Sequence, residues 1–173
     1  VARSYRDALK EITNPSLDEM DWLGISATRL NAELLKLSFG THAETEVFSN
    51  PETASFSNKN ILVGGGWKPG HSSDGAAVAL AKTLGATTLI NLSNIDYVYT
   101  DDPRKNPNAT KIEKTTWADF RKLLPTEWNP GINAPFDPIA AKMAQEINLS
   151  VIVMNGKNIE NLNNYVEGKP FMG

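Results

Sequence analysis

The sequence predicts an α/β fold with a mainly parallel sheet, and two observations carry that prediction. Short runs at Ile61–Val63, Thr87–Leu92 and Ser150–Met154 have the length and flanks of buried strands. Between them lie segments with apolar residues at helical spacing, and this alternation of strand and helix is the pattern of parallel α/β sheets.

The elements follow in order. Ala2, Tyr5, Leu9 and Ile12 fall at helical spacing, and Asn14-Pro15 breaks that helix. Ser16-Leu17-Asp18-Glu19 reads as a capping box that opens the next one. Met20, Leu23, Ala27, Leu30, Leu34 and Leu37 then form one long apolar stripe, ended by Gly40. Residues 41–60 are polar and read as a loop with at most one short strand around Val47. The strand Ile61–Val63 stops at Gly64-Gly65-Gly66, and a helix runs from about Ser73 to Leu84, with Gly85 after it. Beyond the strand Thr87–Leu92, residues 97–110 form a turn-rich excursion containing Asp102-Pro103 and Asn106-Pro107. Helices are expected at Thr116–Leu124, from Asp137-Pro138 to about Ile147, and at Asn158–Glu167, with a loop from Pro125 to Pro135. The strand Ser150–Met154 and the tight turn Asn155-Gly156 precede the last of them. No internal repeat and no domain boundary is visible.

Composition narrows the function. The chain has 173 residues, 17 Lys+Arg against 20 Asp+Glu, and a net charge of −3, with a pI near 5.4. A dedicated nucleic-acid binder normally carries a basic excess instead. The absence of cysteine excludes disulfides, thiolate zinc sites and cysteine nucleophiles. His42 and His71 are too few for a histidine-built metal cage. The longest purely apolar run, Ala76–Ala81, falls far short of the roughly 20 residues of a membrane helix. The polar opening carries no signal-peptide pattern, so a soluble, cytoplasmic protein with no membrane partner is expected. The first helix starts at once without a preceding Met, so the chain is expected to begin inside a larger domain.

Three stretches carry candidate chemistry. Gly64-Gly65-Gly66-Trp67-Lys68-Pro69-Gly70-His71-Ser72-Ser73-Asp74 lies between a strand end and a helix start. Glycines there admit close approach of backbone to a ligand, and the free N–H groups of the triplet and of the following helix N-terminus favour an anion. Ser72 and Ser73 add hydroxyls and Lys68 a cation. The P-loop pattern is absent, Pro69 stands where the dinucleotide fingerprint needs glycine, and there is no nucleophile elbow. The plainer alternative is a strand-ending turn with serine as a helix cap. Asn91–Pro103 lies beyond the next strand: Tyr99 offers a flat face for a purine and Asp102 an acceptor, or the stretch is only a β-turn excursion. Asp137 before Pro138 is explained locally as an N-cap, and an acid there near a phosphate site also serves to place Mg²⁺ or substrate. Arg3, Asp21 and His42 are unremarkable by spacing. Trp22, Trp67, Trp117 and Trp128 lack the basic interleaving of a base-stacking surface.

In combination, and in this order, the three stretches resemble the amino-acid kinase superfamily, and within it the uridylate (UMP) kinases of the archaeal-like type. Asn155-Gly156 and the helix after it match as well, so the resemblance spans Arg3 to Gly173. It implies a single three-layer α/β sandwich over residues 1–173, with a nucleotide-binding portion at about 87–173. Family members open with a strand, a Gly-Gly-Ser-type loop and a catalytic lysine, and close with a strand that would begin at Gly173. Those parts are therefore expected outside this chain.

The resemblance implies transfer of the ATP γ-phosphoryl group to UMP, with ATP and Mg²⁺ as cofactors and a hexamer as the assembly. Carried over by position, Arg3 would hold the UMP phosphate and Asp21 the ribose hydroxyls. Gly65, Gly66, Lys68, Ser72 and Ser73 would line the acceptor loop. Asp74, with Asp137, would act at the transfer centre, and Ser93, Asn94, Tyr99 and Asp102 would contact ATP. Two positions depart from the family: Tyr97 stands where glycine is usual, and Trp67-Lys68 replaces smaller residues. Two alternatives are a molybdate-storage-like binding protein on the same fold and a sister kinase with another small acceptor.

Overall fold

A computed structural model describes residues 1–125 and 134–173. The greater part of the loop expected from Pro125 to Pro135, including Trp128, lies outside the described residues. Two compact units, Val1–Gly85 and Ala86–Gly173, are described in turn.

In the first unit, α1 (Ala2–Ile12) and α2 (Leu17–Phe39) are separated at Asn14-Pro15. The predicted capping box is present. Ser16 Oγ accepts from the Glu19 amide at 3.2 Å while Glu19 Oε2 accepts from the Ser16 amide at 2.7 Å. The buried face of α2 is built from Gly24, Ile25, Ala27 and Ala32. Leu30, Leu34 and Leu37 of the long apolar stripe are exposed, so the small residues, not the leucines, face the unit's interior.

After a 3-10 turn at Gly40–His42, the chain pairs in parallel with the run ending in the glycine triplet. The pairing is two isolated bridges, Ala43 with Ile61 and Phe48 with Gly64, instead of the continuous strand expected at Ile61–Val63. The cause is a mismatch in length. Five steps separate Ala43 from Phe48 and three separate Ile61 from Gly64, so two extra residues bulge out and break the ladder. Glu44 sits in that bulge, buried, and accepts from Ser57 N at 2.7 Å, Ser57 Oγ at 2.6 Å and Lys59 N at 3.2 Å. Helix α3 (Ser73–Leu84) is capped by Ser72 and ended by Gly85 at φ 67°, a left-handed conformation that glycine adopts without strain.

In the second unit, β1 (Thr88–Ser93) pairs in parallel with β4 (Ser150–Asn155), from Thr88 opposite Ser150 to Ser93 opposite Asn155. The excursion after β1 is more ordered than its turn residues indicate. Its ends pair as a short antiparallel hairpin, β2 (Val98–Tyr99) with β3 (Lys111–Ile112). The helices α4 (Trp117–Leu123), α5 (Pro138–Glu146) and α6 (Ile159–Val166) fall where the sequence predicts them. Phe136, Leu149, Met154, Ala140, Ala141 and Ala144 form the fully buried core, and Trp117 Nε1 donates to the Leu149 carbonyl at 2.8 Å. Described pairing is thus parallel except in the hairpin, as predicted. No helix among the described residues is long and apolar enough to cross a membrane.

Candidate functional site

The glycine-rich loop lies on one face of α2. Asp21, Ile25, Thr28 and Arg29 are four, seven and eight residues from the first of them, so they share that face. A Cβ on Gly65 would stand 2.6 Å from Arg29 Cγ and 2.9 Å from Arg29 Cα; one on Gly66 would stand 2.8 Å from Thr28 Oγ1 and 3.1 Å from Ile25 Cα. Gly64 is filled in the same way by the Phe48 ring. The three glycines are therefore required by packing against the protein itself.

Their amides are also committed. Gly65 N donates to the Phe48 carbonyl at 3.3 Å and Gly66 N to Thr28 Oγ1 at 2.8 Å. This corrects the sequence reading in which the triplet bares N–H groups for an anion: at Gly65 and Gly66 the donors serve the fold. Arg29 completes the clamp, donating from Nε to the Gly66 carbonyl at 3.1 Å and from Nη2 to the Trp67 carbonyl at 2.9 Å.

At the loop's far end, Asp21 Oδ2 accepts from Gly70 N at 3.0 Å. Its Oδ1 accepts from Arg6 Nη2 at 3.3 Å, and Arg6 Nε donates to the Met20 carbonyl at 2.9 Å. Arg3 sits one turn before Arg6 on α1, exposed and on the same side of the helix. Lys68 folds back, its Nζ 4.1 Å from the centre of the Trp67 ring, and the His71 ring meets Trp67 edge-on at 4.5 Å. Such a cation–π contact holds the ammonium at the loop. Ser72 Oγ accepts from Gly75 N at 3.0 Å, so this hydroxyl is the cap of α3; Ser73 and Asp74 occupy the helix's first turn.

In the second unit Ser93 and Asn94 lie at the carboxyl end of β1, beside that of β4, the position at which open α/β sheets bind ligands. Gly156 N donates to the Ser93 carbonyl at 2.8 Å, and Asn155 Nδ2 donates to Asp96 Oδ1 at 2.9 Å. These bonds tie the Ser93-Asn94 segment to the Asn155-Gly156 turn. Tyr99 lies on β2, and Lys111 of β3 places its Nζ 4.8 Å from the Tyr97 ring centre. Asp102 is gripped by Arg104 at 3.0 and 3.1 Å, and that side chain holds the Asp102 carboxyl below its ordinary range. Asp101 is likewise held low, first by Asn106 Nδ2 and then by the Asp102 amide. Asp137 is buried and caps α5, accepting from Ile139 N at 2.7 Å and Ala140 N at 3.0 Å. The cap predicted from Asp137-Pro138 is thus present.

Sequence reasoning missed Arg6, Thr28 and Arg29. A signal existed for Arg29: it is half-buried beside the small residues of the buried face of α2, where a polar side chain needs partners. Among the described residues, no group of three or more His, Asp or Glu stands close enough to hold a metal ion by itself.

Comparison with known proteins identifies the scaffold. Residues 2–155 match the Amino acid kinase family. The chain is 34% identical over 171 residues to a uridylate kinase of Pyrococcus abyssi, covering 97% of this chain and 76% of that one. It is 35% identical over 159 residues to a uridylate kinase of Methanococcoides burtonii, covering 90% and 67%. A crystal structure of uridylate kinase from Archaeoglobus fulgidus superposes with a TM-score of 0.82 at 30% identity, over 99% of this chain and 78% of that one. On the strength of fold, loops and these likenesses together, the chain belongs to the amino acid kinase family.

Proposed function

We propose that this protein is a uridylate kinase, transferring the γ-phosphoryl group of ATP to UMP to give UDP. The observation that carries this reading is likeness along nearly the whole chain to relatives named uridylate kinase, glycine loop included. The physics agrees. Phosphoryl transfer needs little covalent chemistry from the protein, chiefly in-line positioning and stabilisation of negative charge spread over the transferred group. A loop clamped along a helix face positions; a helix N-terminus beside it receives charge.

In this reading the first unit binds the acceptor. Arg3 meets the UMP phosphate and Asp21 the ribose hydroxyls, its carboxylate having lone pairs beyond those used by Arg6 and Gly70. Gly65, Gly66, Lys68, Ser72 and Ser73 shape the acceptor loop. The second unit, Ala86–Gly173, takes ATP through Ser93, Asn94, Tyr99 and Asp102. Asp74 of the first unit and Asp137 of the second are the carboxylates this reading assigns to phosphoryl transfer. Mg²⁺ would fit such a donor set: the ion keeps several waters and takes one or two carboxylates plus substrate phosphates, so no all-protein cage is needed. When bound it neutralises charge on the phosphates.

The test is ATP-dependent phosphorylation by the full-length protein offered UMP, CMP, acetylglutamate and carbamate. UMP should be the preferred acceptor, and Asp74→Asn should lose about 10²–10³ in turnover. Turnover of an amino-acid or carbamate acceptor with UMP inert would overturn the assignment.

A further inference from the structure

Arg29 lies on none of the stretches that suggest chemistry, yet it decides which way the acceptor loop's peptide groups face. Its fork binds two successive carbonyls, Gly66 at 3.1 Å and Trp67 at 2.9 Å. In a planar trans peptide the C=O and the N–H of the following residue point in opposite directions. Drawing the Gly66 carbonyl onto α2 therefore turns the Trp67 N–H away from α2. Drawing in the Trp67 carbonyl does the same to the Lys68 N–H.

The neighbouring amides are oriented the other way. Gly65 N and Gly66 N are donated to Phe48 and Thr28, Gly70 N is donated to Asp21, and Pro69 has no N–H. Trp67 N and Lys68 N have no acceptor among the described residues. Between Gly65 and Gly70 the loop thus presents one adjacent pair of outward donors, fixed by a single side chain, with the Lys68 ammonium beside them on the Trp67 ring.

We propose that Arg29 is a positioning residue for the acceptor: it holds the Trp67 and Lys68 amides outward as a paired donor for oxygen atoms of the acceptor nucleotide. Arg29 itself points into the protein and does not touch substrate. The inference deepens the uridylate kinase reading and rests on it. A planar fork is needed, because an ammonium reaches one carbonyl well and not two in parallel.

The experiment is steady-state kinetics and UMP calorimetry on the full-length protein with Arg29→Ala and Arg29→Lys. In Arg29→Ala the KM for UMP should rise by about 10- to 100-fold, as expected for losing charge-assisted hydrogen bonds that hold a binding group. The KM for ATP should change by less than about twofold and the lysine variant should fall between. Guanidinium ion in the millimolar range should partly restore UMP affinity in Arg29→Ala, a rescue that a purely structural role would not give. Calorimetry with uridine beside UMP assigns the oxygens: a loss for UMP alone places them on the phosphate, a loss for both on the nucleoside. If the wild-type protein turns over UMP but Arg29→Ala keeps its UMP affinity, or both KM values rise together with a fall in melting temperature, the positioning role is wrong. If the wild-type protein is inert toward UMP, it is the activity that is wrong.

Discussion

Gly65→Ala tests the packing of the acceptor loop most directly. The new methyl carbon would lie 2.6 Å from Arg29 Cγ, 2.9 Å from Arg29 Cα and 3.2 Å from Arg29 N. Two of those atoms are helix backbone, which cannot swing aside. To reach an ordinary carbon contact of about 3.5 Å, the loop must retreat from α2 by roughly 0.6–0.9 Å. That movement takes the 2.8 Å bond between Gly66 N and Thr28 Oγ1 to the edge of hydrogen-bond range and loosens both Arg29 bonds. Overpacking costs about 1–3 kcal/mol and the bonds, weakened but not lost, together about 1 kcal/mol, so the variant should lose about 2–4 kcal/mol. For a domain of this size that is a fall of about 5–15 °C in melting temperature. A loop displaced by nearly 1 Å should also lose up to about 10² in kcat/KM for UMP. Gly75→Ala is the control. Its Cβ would meet only Ser72 Oγ at 3.5 Å, inside a helix where alanine is favoured over glycine by about 1 kcal/mol. Thermal melts and UMP kinetics on both variants decide the matter. Gly65→Ala melting within about 2 °C of wild type, with unchanged UMP kinetics, would refute the argument that α2 occupies the space of that side chain.

Three further variants probe two carboxylates that accept backbone hydrogen bonds. Asp137→Ala removes the acceptor for Ile139 N and Ala140 N and should cost about 1–2 kcal/mol by thermal melt. Asp137→Asn keeps a capping oxygen without the charge. It should melt near wild type yet turn over UMP more slowly, whereas a full wild-type rate would leave Asp137 as a cap alone. Glu44 is held below the ordinary carboxylate range, first by the Ser57 hydroxyl and then by the Ser57 amide. Because its folded-state value is depressed, its contribution to stability is fully present above the unfolded value of about 4.3. It is lost as pH falls through the folded value. Glu44→Gln should therefore melt lower at pH 7, with the gap to wild type closing as melts are taken to acid; a gap independent of pH would contradict it.

How much of this was legible depended on the range of the interactions. The capping box at Ser16, the Asp137-Pro138 helix start, and the stop at Gly85 are local chemistry within a few residues, and the structure keeps each one. The pairing of Val98–Tyr99 with Lys111–Ile112 was not legible, because two-residue strands carry no alternation to read. The expected strand at Ile61–Val63 dwindled to bridges for a reason located 15 residues earlier, in the length of its partner. In the site, the glycine triplet was found but its meaning was not. Glycine signals close approach without saying of what, and here the approaching body is α2 and Phe48. Arg29 was invisible for the same reason: its two acceptors lie 37 and 38 residues away.

The arrangement explains why a phosphoryl-transfer enzyme would commit so many loop hydrogen bonds before any nucleotide arrives. Donors that must reorient during the reaction lose much of their electrostatic advantage; donors already aimed do not. Asp21 and Thr28 each take one polar group of the loop and Arg29 takes two, turning them inward, and planarity of the peptide sends the Trp67 and Lys68 amides outward. A single helix face thereby sets the direction of a loop that has no regular structure of its own. Specificity follows from the same geometry, since a loop held at Gly66, Trp67 and Gly70 has little freedom to remould itself around a differently shaped acceptor. Loosening the clamp should thus weaken UMP and narrow its advantage over CMP together, whereas a loop that merely covers its substrate would lose affinity for both in equal measure.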